Sequence, residues 1–354
     1  MEVIDRRGFI ECAAGAATVS LLGGCQAAKP ARRTAGGEIR AMLVQLGWNM
    51  WCDQPVRYWG RYKTPEELSR VTAADHVRTD EQVWKRLTVR MADAGCNMIV
   101  IDLGEACAYP SHPELAVRGT WSVEKMRGEI ARLRALGMEP IPKLNFSTGH
   151  DTWLREYGRM VSTSEYYRVC ADVIRDVCDI FDGPRLFHLG YDEETARQQA
   201  QDSIAIVRQG ELWWHDLLWF VRRVESESVR PWIWSDRMWH DASFLDRMPK
   251  SVMQSNWYYG SEFKLGKQPP EGCVRAYLDS FVELDEAGFD QVPCGSNWAC
   301  DSNFGDLVAF ARENISPARL KGTLMAPWFF PDALEEHKLE RACELASEAW
   351  RGKP

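Results

Sequence analysis

From Ile39 to the C-terminus, short β-like runs alternate with helical patterns eight times over, and few folds can satisfy that rhythm. Parallel neighbours need long crossovers, so the alternation predicts βα units around a parallel sheet. Strands are expected at residues 41–47, 97–103, 139–145, 185–190, 231–235, 252–256, 291–296 and 322–327. Helices are expected at 80–94, 122–136, 164–180, 211–224, 303–313 and 334–350, with Ser122 as an N-cap. Little more than residues 242–247 joins strands five and six, so the helix there should be degenerate. Eight such units close into a single α/β domain, a (β/α)8 TIM barrel, for which about 250 residues are usual. An open doubly wound sheet would want a glycine-rich first turn, and this chain has none.

The segment ahead of the barrel reads as an address. Residues 5–11, Asp-Arg-Arg-Gly-Phe-Ile-Glu, precede a small-residue apolar run at 12–22, and the two together resemble a twin-arginine export signal. Leu22-Gly23-Gly24-Cys25 resembles a bacterial lipobox, in which Cys25 would be lipidated. The apolar run falls short of the roughly 20 residues that span a bilayer. The chain thus divides into a signal peptide at 1–24, a tether at 25–37 and a barrel at 38–354. This implies twin-arginine export to the periplasm or cell surface, with a bacterial membrane touched only through a lipid anchor.

Composition narrows the partners. A net charge of -8 argues against nucleic acid, because phosphate neutralisation needs clustered Lys and Arg. The nine cysteines beyond Cys12 and Cys25 show no C-x-x-C pair, and the first strand carries no His-x-His, so no metal and no cofactor is expected. A chain that folds before export should keep most of these thiols buried and free.

Barrel chemistry sits where strands end. The end of strand four, Phe187-His188-Leu189-Gly190-Tyr191-Asp192-Glu193, places two carboxylates side by side. In a concave site such neighbours repel, and burial penalises ionising both, so the pair supplies a proton donor and an anion together. Glycosidic cleavage requires that combination. Gly190 allows the backbone to turn so that both can face the site. The competing reading makes Asp192-Glu193-Glu194 a helix cap. Many of the 16 tryptophans fall near strand ends, among them Trp234, Trp257, Trp298 and Trp328, as flat walls for a ligand would.

These residues resemble glycoside hydrolase family 20, the β-N-acetylhexosaminidases, whose fourth strand ends in His-x-Gly-x-Asp-Glu. His188, Gly190, Asp192 and Glu193 match residue for residue. The third-strand pattern Pro-x-x-Asp-x-Pro-Gly-His is matched at Pro142, Gly149 and His150, while Asn145 and Thr148 replace its Asp and second Pro. The resemblance implies substrate-assisted retaining cleavage of terminal amino sugars, with Glu193 as general acid and base and Asp192 orienting the 2-acetamido group. It implies a carbohydrate substrate contacted by Asn145, His150, Trp234, Asp236, Trp257, Tyr258, Trp298, Asp301 and Trp328. The family's first-strand Arg is absent, with Arg57 or Arg61 as possible substitutes, and Tyr258 or Tyr259 would replace its seventh-strand Tyr. These losses motivate an alternative, a carbohydrate-binding barrel without turnover.

Overall fold

The computed structural model describes residues 37–55 and 63–352. Eight parallel strands form the barrel: β1 (Ile39–Gln45), β2 (Met98–Asp102), β3 (Glu139–Lys143), β4 (Leu186–His188), β5 (Arg230–Trp234), β6 (Met253–Ser255), β7 (Cys294–Gly295) and β8 (Gly322–Met325). Their order is β6-β5-β4-β3-β2-β1-β8-β7. Bridges from Gln254 to Gln291 and from Trp257 to Cys294 bring β6 against β7, so the ring closes. The helices are α1 (Pro65–Val71), α2 (Glu81–Asp93), α3 (Val123–Ala135), α4 (Ser164–Ile180), α5 (Gly210–Ser226), α6 (Phe244–Arg247), α7 (Asp279–Glu286), α8 (Asn303–Asn314) and α9 (Glu336–Arg351). The expected degenerate helix after strand five is α6, a single turn. Ser122 caps α3 by accepting the Lys125 N–H at 3.2 Å.

Alternation along the strands sorts side chains into two layers, as a barrel requires. Ala41, Leu43, Val100, Ile141, Leu186, Trp232 and Leu324 fill the interior. Met42, Val44, Ile99, Ile101, Phe187 and Ile233 face the helices and join their apolar stripes. Two charges break the interior pattern: Lys143 and Asp102, at the ends of β3 and β2, form a fully buried ion pair. A buried pair is held at a desolvation cost, and here it lies under the open end of the barrel.

Several elements are shorter than expected. β4 stops at His188 because Gly190 and Tyr191 turn into left-handed conformations with φ of 68° and 77°. β7 keeps two residues because Pro293 has no N–H for the ladder, although its carbonyl accepts from Leu324 at 2.9 Å. Helices α1 and α7 lie where no helix was expected. The leader, tether, Cys25, Arg57 and Arg61 lie outside the described residues. Among the described residues no helix is long and apolar enough to cross a membrane. Their nine cysteines are free thiols, seven of them buried.

Candidate functional site

The turn after β4 builds the site. Gly190, Tyr191 and Glu193 all adopt positive φ, a conformation that costs non-glycine residues about 1–3 kcal/mol each. Gly190 has no substitute, because a Cβ there would lie 2.1 Å from Asn145 Oδ1. Gly190→Ala should therefore lower the unfolding free energy by roughly 2–4 kcal/mol, read as a lower urea midpoint. The contorted backbone carries Asp192 and Glu193 on the same side of the turn, which an extended strand cannot do. Glu194, the third acid, faces away from them. It pairs with Arg208 through Oε1 at 2.9 Å and Oε2 at 2.6 Å, and Arg208 reaches Asp216 at 3.2 Å. The capping alternative is thereby replaced: Glu194 is a buried anchor, and its two neighbours are left for the site.

His150 stands between the two remaining carboxylates. Its Nε2 lies 3.3 Å from Glu193 Oε2 and 3.7 Å from Asp192 Oδ2. Burial alone would neutralise the ring, but the charges of Asp192 and Glu193 outweigh it and push His150 up to about 9. Asn145 donates to Asp192 Oδ1 at 2.8 Å, and its own Oδ1 accepts from Ser147 and Tyr191 backbone N–H groups. An amide thus does there what a protonated carboxyl could do, fixing Asp192 without adding charge. Asp192 is buried, whereas the Glu193 side chain is 36% exposed, so the two occupy the floor and the mouth of the site.

Asp236, just past β5, accepts the Glu193 N–H at 2.9 Å. Burial and then the nearby Asp192 charge push its carboxyl up to about 8 from an ordinary 3.8. A raised folded-state value means the folded chain holds the proton more tightly. That contribution to stability is present at acid pH and is lost as pH climbs from about 4 to about 8. His150 adds stability below 6.5 that is lost through about 9. Both slopes fall toward alkaline pH. The urea midpoint of Asp236→Asn should accordingly gain on that of the parent between pH 5 and 8; a constant difference would contradict this.

Aromatic rings enclose the mouth. Trp51 meets His150 edge-on at 5.3 Å and Trp328 at 5.9 Å, and Trp328 sits 6.0 Å from Trp234. Trp328 donates its indole N–H to the Tyr259 hydroxyl at 2.9 Å, and Tyr259 stacks on Trp257 at 5.1 Å. Trp257 and Trp328 are half-buried, while Trp234 lies deeper, with an indole N–H that has no protein partner.

Two expected contacts are corrected. Tyr258 turns its hydroxyl to the Glu262 carbonyl and packs on Phe263, so Tyr259 is the inward tyrosine of that pair. Successive side chains leaving a strand point to opposite faces, which decides between them. Asp301 is held by Arg341 of α9 at 2.9 Å, on the outer side. Trp298 is 44% exposed beyond β7. His188 accepts the Gly190 N–H at 3.0 Å and is held neutral by burial and by Lys143, a support for the turn. Sequence reasoning missed Lys143 and Arg208. Lys143 carried a signal, a charge at an inward strand position; Arg208, in a loop, carried none.

An exo-β-N-acetylglucosaminidase of glycoside hydrolase family 20 from Vibrio harveyi, bound to N-acetylglucosamine, superposes with a TM-score of 0.55 at 14% identity, over 88% of this chain and 54% of that one. Dispersin B gives 0.56 at 14% identity, over 77% and 96%. The Streptomyces plicatus N-acetyl-β-hexosaminidase gives 0.57 at 13%, over 87% and 63%. The likeness is one of fold. This chain is a single (β/α)8 barrel, and it spans about half the length of the Vibrio enzyme. No family model matches the sequence. No curated protein matches it either.

Proposed function

We propose that the barrel hydrolyses a glycosidic bond of a terminal 2-acetamido sugar, with the substrate's own amide as nucleophile. The observation that supports this best is the contorted turn that sets Asp192 at the floor and Glu193 at the mouth, with His150 against both. Asp192, fixed by Asn145, accepts the amide N–H and so makes the carbonyl oxygen a better nucleophile toward the anomeric carbon. Glu193 gives its proton to the leaving oxygen. A sugar seated against Trp257 and Trp328 strips water from Glu193, and desolvation favours the protonated carboxyl that this step needs. Once Glu193 is an anion, the charged His150 stabilises it. Glu193 then takes a proton from the water that opens the cyclised intermediate, and the anomeric configuration is retained.

Asn145, Asp236, Trp234 and Tyr259 complete the first layer of this proposed site. The alternative of a binding barrel without turnover is disfavoured by Asn145, which preserves the contact to Asp192 that loss of an Asp would otherwise remove. The test is a series of aryl glycosides whose 2-acetamido group carries none, one or three fluorines. Participation of the carbonyl oxygen predicts a steep fall in kcat along the series. A flat series would mean that Asp192 or water attacks instead. Export and lipidation at Cys25 are proposed from the leader alone, and would place this activity on glycans outside the cytoplasm.

A further inference from the structure

We propose that His150, Asp192 and Glu193 form a binding site for a zinc-like divalent cation, and that its occupancy shuts off the hydrolysis. The second clause rests on the functional reading above; the first does not. One donor atom from each residue lies within 4.8 Å of the other two. His150 Nε2 stands 3.3 and 3.7 Å from the carboxylate oxygens, and ligands around a tetrahedral zinc stand about 3.4 Å apart. Two of the three separations therefore already suit one ion, and the third, between the carboxylates, lies within 4.8 Å.

A second observation points the same way. The imidazole is 2% exposed, Nδ1 has no protein partner, and Nε2 is aimed between the two carboxylates with no well-formed hydrogen bond to either. Asn145 holds Asp192 through Oδ1, which leaves Oδ2 turned to His150 and supplies the outer-shell support that ligating carboxylates need. One imidazole nitrogen with two carboxylate oxygens suits zinc and its first-row neighbours, whereas calcium and magnesium require more oxygens. Lys143, the cation beneath the site, is already neutralised by Asp102 and so does not oppose a second cation there. Zinc would displace the proton of His150 to solvent and occupy the lone pair on which Glu193 must carry its own. Three protein ligands leave the fourth position open.

Zinc chloride titrated calorimetrically into the tag-free, chelator-treated protein tests the site. One zinc per chain is expected, with affinity at least about tenfold weaker in His150→Gln and in Asp192→Asn. Asp301→Asn, at the outer Arg341 pair, should bind as the parent does. Urea midpoints near the parent's establish that the variants are folded. No binding, or equal affinity in all four proteins, overturns the site. Aryl glycoside turnover should fall in proportion to occupancy and return with chelator, and turnover that persists at saturation overturns the inhibitory role. A parent without turnover on any glycoside would sink the functional reading, while the calorimetry still decides the metal site.

Discussion

Glu193→Gln is expected to lower kcat on an aryl 2-acetamido glycoside by about 10²–10⁴-fold, the range that a positioned general acid contributes. Glutamine fills the same space and tolerates the same turn, so the substitution removes the transferable proton and little else. KM should move by much less, because the walls at Trp257 and Trp328 and the Asp192 contact remain. An activated leaving group depends less on protonation, so the loss should be smaller for a dinitrophenyl than for a methyl glycoside. A uniform loss across leaving groups would place the proton donor elsewhere. Asp236, pushed up to about 8 and hydrogen-bonded to the Glu193 backbone, is the group to examine next in that event.

The second large effect concerns the frame beneath the pair. Arg208 is buried with Glu194 and Asp216, whose side chains are 2% and 0% exposed. Arg208→Met would leave two carboxylates in the protein interior without their cation, and breaking a buried pair in this way costs about 3–5 kcal/mol. The cost is read as a lower urea midpoint. It should be partly recovered in Arg208→Met/Glu194→Gln, which removes one stranded charge, and a double variant no better than the single would show that packing matters more than charge. Arg208 also donates to the Phe146 carbonyl at 2.7 Å and lies over the Tyr191 ring at 4.5 Å. Its loss should therefore loosen the turn that carries Glu193 and reduce activity in the protein that remains folded.

These two residues mark how far the sequence could be read. The barrel was legible because eight buried strands leave runs of apolar residues that turn-forming segments punctuate, and each run found its strand. The ends were not, since β4 and β7 are cut short by local backbone chemistry at Gly190 and Pro293 and not by any change in hydrophobicity. Asp192, Glu193, Asn145 and His150 were legible because they lie on two contiguous motifs at neighbouring strand ends, and the structure brings all four together. Tyr258 and Asp301 were misplaced for one reason: past the last ladder hydrogen bond, spacing no longer tells which face a side chain takes. Arg208 was invisible because its partners are 14 and 8 residues away, on segments whose approach only the folded chain creates.

The most direct measurement is release of aryl alcohol from paired 2-acetamido and 2-hydroxy glycosides of otherwise identical sugars, by the parent protein and by Glu193→Gln, with sugar binding followed through tryptophan fluorescence. The account predicts turnover confined to the 2-acetamido member, nearly abolished in the variant, with binding retained in both. Binding without turnover in the parent, or equal turnover of the two glycosides, would contradict it.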